Sequence, residues 1–259
     1  MLKGFTGPYT PKGRSSLVPS PPWHYAGRIV SIGARTEAEV AQRFLPSGFG
    51  GASGRIFGHF CEWQATTDGS ELLDPAYSQY NEFFLLIEAL SDQGEARLFC
   101  SFIFVDQDIS MVRGHMQGFP KKLGAIRIGR SYGLDHPAAG RQGSGTRLGA
   151  TVAVKDRRLI EAEWTGSTGN AEPIGFLGTP TFGLVGAPSI IGTPTSGDIR
   201  LVRQSLSARV VGPIHAAEGT LRLLDSPIDE IGDLAVLSCF AATTCEAALT
   251  VTGAEEAAF

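Results

Sequence analysis

The chain is short of the groups that would tie it to a metal, a membrane or a nucleic acid. It has four cysteines, Cys61, Cys100, Cys239 and Cys245, and no two stand in C-x-x-C spacing. Neither a zinc site nor a redox dithiol is therefore expected. Its five histidines are scattered without ligand spacing, so no metal is predicted. The densest apolar run, residues 83–87, is far too short to cross a bilayer. The N-terminus lacks the apolar core of a signal peptide. With four scattered, reduced thiols, that leads us to expect a cytoplasmic protein with no membrane partner. Positive charge is not in excess: 22 Lys+Arg stand against 26 Asp+Glu, for a net charge of −4. With no basic stripe, nucleic acid is not an expected partner. There is no G-x-S-x-G elbow and no phosphate loop, and Gly143-Ser144-Gly145 lacks the strand–turn–helix of a dinucleotide fingerprint. No cofactor is expected.

Glycine is plentiful, with 33 residues, and 15 prolines accompany it. That composition points to many turns and few long helices. Residues 1–22 are rich in Gly, Pro and Ser and read as an irregular arm. From residue 23 no composition break marks a linker, so residues 23–259 read as a single domain. Strands are expected at 27–34, 54–64, 77–90, 96–105, 199–211 and 219–224, with a hairpin pairing 147–154 and 159–164. A loop is expected over 68–76, and loop and strand over 174–197. Thr36-Glu37-Ala38-Glu39 has the pattern of a capping box. It predicts a helix with Val40, Phe44 and Leu45 on its apolar face, stopped by Pro46. A second helix is expected over 108–117, with Asp108 as N-cap and Gly118 at the C-terminal end. A short helix is expected within 227–237, and residues 237–252 end the fold. The predicted class is mainly β (α+β): a curved or closed, barrel- or cone-like antiparallel sheet with a few short helices.

The chemistry concentrates at Gly118-Phe119-Pro120-Lys121-Lys122-Leu123-Gly124, a turn leaving the second helix. A lysine is nucleophilic at neutral pH only when its ammonium form is disfavoured, by burial or by a second cation. Adjacent residues on an extended chain point to opposite faces. Burial among apolar walls is therefore expected to matter more for Lys121 than the charge of Lys122. On the strand at 77–90, alternation puts Tyr80, Glu82, Phe84 and Leu86 on one face. Glu82 is then either a buried functional acid or a strand-end charge in solvent.

The heptapeptide resembles the signature of the acetoacetate decarboxylase family. Arg35-Thr36-Glu37, Tyr80-Asn81-Glu82, residues 208–224 and Pro227-Ile228-Asp229-Glu230-Ile231 extend the likeness along the chain. Glu82 lies 39 residues before Lys121, the spacing the family's catalytic glutamate would have. The resemblance implies that Lys121 forms a Schiff base with a small keto acid and that Glu82 is the catalytic acid. It makes Lys122 the modulator, acetoacetate decarboxylase being itself the standard example of a lysine activated by a neighbouring cation. Arg28 would bind the substrate carboxylate and Glu62 would be a second acid. It also implies a homo-oligomer. Gln117, four residues before Lys121, resembles a branch whose members are aldolase–dehydratases acting on pyruvate and aldehydes. The primary expectation is a β-keto acid decarboxylase. The alternatives are such an aldolase–dehydratase and, from a different class, a non-catalytic β-barrel carrier of a small ligand.

Overall fold

The computed structural model describes residues 1–186 and 198–258. Among the described residues twelve strands form one mixed sheet. They are β1 (Trp23–Arg35), β2 (Gly51–Thr66), β3 (Gln79–Leu90), β4 (Ala96–Val105), β5 (Lys121–Leu123), β6 (Ala125–Ile128), β7 (Arg147–Val154), β8 (Arg157–Asn170), β9 (Thr181–Val185), β10 (Arg200–Val211), β11 (His215–Leu223) and β12 (Ser238–Glu256). Three short helices interrupt them among the described residues: α1 (Ala38–Gln42), α2 (Pro75–Ser78) and α3 (Asp108–Met116). The order β1-β2-β3-β4-β9-β10-β12 returns on itself, because β12 also pairs with β1. From β12 a second arm runs through β11, β8 and β7 to β6. Most pairings are antiparallel, as expected, but β4 pairs in parallel with both β5 and β9.

Alternation along β1 to β4 gives this wall two apolar faces. One carries Val30, Ile32, Ile56, Phe60, Phe83, Leu85, Ile87 and Phe104, packed against Val152, Ile160 and Leu221 of the second arm. The other carries Ile29, Phe57, Cys61, Trp63, Tyr80, Phe84, Leu86 and Ile103. A strand buried on both faces reads as a continuous hydrophobic run, and residues 83–87 do so for that reason. The arm at 1–22 holds no helix. It is pinned by Val18, which is fully buried beside Trp23 and Val251.

Several local expectations need correction. The capping box does not form: the N-cap of α1 is Glu37, and no side chain caps it. Thr36 is held instead by the sheet, its backbone N–H donating to the Gly54 carbonyl at 2.9 Å. The helix ends at Gln42, and Phe44 and Leu45 follow in a turn but still pack on the core with Val40. The N-cap of α3 is Gln107 rather than Asp108, whose carboxylate accepts from the next backbone N–H, that of Ile109. The loop at 68–76 contains a 3₁₀ turn (Ser70–Leu73) and the start of α2, so β3 begins at Gln79 and not at residue 77. Within 227–237 only a 3₁₀ turn forms, Ile231–Asp233. The hairpin β7–β8 forms as expected, around Lys155 and Asp156. Both have positive φ, the geometry that matches the twist of paired strands. Of the loop and strand expected over 174–197, β9 is present, and residues 187–197 lie outside the described residues.

Candidate active site

Lys121 is placed by the way α3 ends. The N–H of Phe119 donates to the Gly114 carbonyl at 2.9 Å, closing the last turn. Gly118 sits at φ +88°, in the left-handed region where a side chain is strained. A Cβ there would also meet Val202 and the backbone at Gly183. The carbonyl of Gly118 accepts from Leu184 N–H, so the turn is docked on β9. Pro120 then redirects the chain into β5, which pairs Lys121 with Ile103.

Lys121 is 8% exposed and Glu82 6%. Lys121 Nζ lies 2.5 Å from Glu82 Oε2 and donates to Ser110 Oγ at 3.0 Å. The other carboxylate oxygen of Glu82 accepts from the Trp63 indole N–H at 3.1 Å. The ammonium also lies 5.5 Å from the centre of the Tyr80 ring. Gly114 faces the lysine stem, and its missing side chain leaves room for it. This pair forms part of the wall of a cavity of about 510 Å³, which is also lined by Tyr25, Gln117, Phe176, Arg203, Gln204 and Arg209. The other nucleophilic groups of the site are held in their neutral forms. Burial, and then the charge of Glu82, push the Tyr80 phenol well above its ordinary value. Burial raises Tyr25 too, and lifts the thiols of Cys61 and Cys100.

The predicted residues divide by face. Lys121, Glu82 and Gln117 share the cavity. Lys122 points to the opposite face, half exposed, with its Nζ 2.5 Å from the buried carboxylate of Asp229. Its charge is already met there, so it is not placed as a bare cation beside Lys121. Arg28 and Glu62 do not line the cavity either. They are cross-strand neighbours one position out of phase with the cavity-facing residues. Arg28 pairs with Glu62 at 2.8 Å and Arg130 joins them at 3.0 Å, in a separate polar cleft. The strand period of two decides this: Trp63 faces the cavity, so Glu62 faces away.

Sequence reasoning passed over Tyr25, Trp63, Ser110, Arg113 and Gln204. Ser110, Arg113 and Gln117 recur at helical spacing, a polar face on α3 that was visible in the sequence. Arg113 is 3% exposed and has no acidic partner among the described residues. Its Nε is unbonded, and the guanidinium lies 5.4 Å from the centre of the Tyr25 ring.

Fold and site together define a β-sheet enzyme built around a buried lysine–carboxylate pair. The sequence pattern of the acetoacetate decarboxylase (ADC) family matches residues 6–258, and the chain belongs to that family. Among solved structures it is similar to the enduracididine biosynthesis enzyme MppR, complexed with the condensation product of pyruvate and imidazole 4-carboxaldehyde. That match has 30% identity and a TM-score of 0.90, covering 99% of this chain and 97% of the other. An acetoacetate decarboxylase-like enzyme from Sphingomonas wittichii RW1 matches at 26% identity and TM-score 0.85, over 98% of this chain and 99% of that one. The acetoacetate decarboxylase of Legionella pneumophila matches at 18% identity and TM-score 0.77, over 99% and 96%, and speaks for the fold alone. No curated protein sequence matches the chain.

Proposed function

We propose that this chain is a Schiff-base enzyme that condenses pyruvate, or a close 2-keto acid, with an aldehyde and then eliminates water. The observation that carries the reading is the ion pair of Lys121 and Glu82, both buried on one cavity wall. Lys121 gives its proton to Glu82 and attacks the keto carbon. The carbinolamine hydroxyl takes that proton back from Glu82 and leaves as water, which gives an iminium and returns Glu82 to its anionic form. Glu82, next to that nitrogen, removes a proton from the adjacent methyl carbon and makes the enamine. The enamine carbon adds to the aldehyde, the new hydroxyl leaves as water, and hydrolysis frees Lys121 and an unsaturated keto acid.

Three features support condensation over simple decarboxylation. A cavity of about 510 Å³ is in the range that encloses ligands well beyond a four-carbon acid. A 2-keto acid keeps its carboxylate throughout, and a counter-charge for it is at hand in the buried Arg113, which does not line the cavity itself but lies 5.4 Å from the ring centre of the cavity residue Tyr25 and has no acidic partner among the described residues. The structural match is also stronger to the pyruvate-condensing MppR than to acetoacetate decarboxylase itself. Decarboxylation of a β-keto acid remains the second reading, favoured by Glu82. A carboxylate held beside that anion is destabilised, and its departure as carbon dioxide relieves the repulsion.

Borohydride reduction in the presence of pyruvate is expected to fix an adduct on Lys121, and Lys121→Ala to abolish it. Absence of an adduct with any keto acid would sink both readings. Carbon dioxide release from acetoacetate without formation of an unsaturated keto acid from pyruvate and an aromatic aldehyde would select the second.

A further inference from the structure

Gln117 is 4% exposed and lines the cavity, so the direction of its amide decides whether substrate meets a donor or an acceptor. A primary amide has two N–H donors and one carbonyl acceptor, and either end can face the ligand. Here one end is fixed by the backbone. Gln117 Nε2 donates to the Arg113 carbonyl at 3.0 Å. A flipped amide would set two acceptors against each other, so Oε1 must point the other way. There it needs a donor, because a buried carbonyl without one costs stability. Gln204, on β10, supplies it: its Nε2 donates to Gln117 Oε1. With both of those contacts made, the second N–H of Gln117 is turned to the cavity wall, where the Tyr25 hydroxyl is its acceptor until a ligand oxygen competes for it.

We propose that Gln204 is a positioning residue that locks the Gln117 amide with its N–H toward the keto acid. The ligand it serves is an oxygen acceptor, the carboxylate or keto oxygen of the substrate. That last part rests on the Schiff-base reading above, whereas the lock itself does not. Gln204→Glu keeps the shape of the side chain and removes the donor. Gln204→Leu removes both donor and acceptor.

The test has two arms. In the first, pyruvate kinetics are followed with an aromatic aldehyde in excess. Both variants should raise KM for pyruvate by about tenfold with kcat within about twofold, the loss expected for one hydrogen bond made equally in ground and transition states. In a Gln117→Leu background, Gln204→Leu should add nothing, because its effect passes through Gln117. An unchanged KM, or an undiminished effect in that background, overturns the proposal. The second arm needs no substrate. The side-chain amide resonances of Gln117 in the free protein should shift and broaden in Gln204→Leu, and unchanged resonances overturn the lock. If the wild-type chain forms no adduct with any keto acid while those resonances do respond, the Schiff-base reading fails and the lock stands.

Discussion

Lys121 and Lys122 are neighbours in sequence and serve opposite faces of the same wall. Lys122 meets Asp229, which is 8% exposed and also accepts from the Ile231 N–H. Lys122→Ala is therefore expected to act on stability more than on chemistry. The cost should be on the order of 1 kcal/mol, because the lysine is half exposed and solvent screens the pair. Steady-state rates should stay within a few-fold of wild type. A hundredfold loss of kcat would restore Lys122 as a modulator acting through its charge. Glu82→Gln is the opposite case. It leaves Lys121 without its anion and removes the proton acceptor next to the nitrogen. A positioned base contributes roughly 10²–10⁴ in rate, so kcat should fall by at least about a hundredfold. The sequence made this pair legible, because the motif marks the lysine and strand alternation sets the face of the glutamate. Arg28 and Glu62 were misplaced for the same reason in reverse: resemblance identified the residues, but the period of two turns them away. Gln204 was not legible at all, since its role depends on where β10 lies against the end of α3.

At the scale of elements, α3 and the turn after it deliver the lysine. Gly114 is a helical glycine, and replacing such a glycine by alanine ordinarily stabilises a helix by about 0.5–1 kcal/mol. Here the added methyl would overlap the Cγ, Cδ and Cε atoms of Lys121. Overpacking a fitted site costs roughly 1–3 kcal/mol, so the clash outweighs the helical gain. Gly114→Ala should push the lysine stem away from Glu82, lowering kcat and the rate of adduct trapping by at least about tenfold. Near-normal far-ultraviolet circular dichroism would show that α3 survives. Full activity in that variant would mean that Lys121 reaches its working position by another path. The helix was predicted to within a residue at each end, because Ile109, Val112 and Met116 repeat at its period. The helix predicted from residue 36 forms only over Ala38–Gln42, and its predicted cap was lost because the Thr36 backbone belongs to the β1–β2 edge. Local sequence records the competition between cap and sheet but not its outcome.

At the scale of the molecule, two apolar faces back to back on one wall couple the site to global stability. The mainly β class was readable from composition and alternation. The closure was not, because it needs β12 to pair with β1 and β10 together, and β9 to join β4 in parallel. His59 lies in this wall, fully buried, with Ser31 Oγ 2.8 Å from Nδ1 and the rings of Phe84 and Phe176 against it. Its Nε2 is unbonded and faces Gly175, where no side chain would fit. Phe176 and Phe84 also line the cavity that holds Lys121. Burial alone pulls the imidazole down from 6.5 to about 3, so it folds in the neutral form. The sign of the consequence is fixed by proton binding. Between those two values the unfolded chain takes up a proton at this residue and the native protein does not. Stability is complete above about pH 6.5 and is lost as the pH falls toward 3, at up to about 1.4 kcal/mol per pH unit. His59→Asn keeps a polar partner for Ser31 and cannot titrate. Carboxylates add their own acid sensitivity to both proteins, so the informative quantity is the difference between them. Urea midpoints measured from pH 7 to pH 4 should fall more steeply for wild type than for His59→Asn, even where the variant is less stable at neutral pH. Parallel curves would mean that His59 is protonated in the native state, and that the wall behind Phe176 holds a charge.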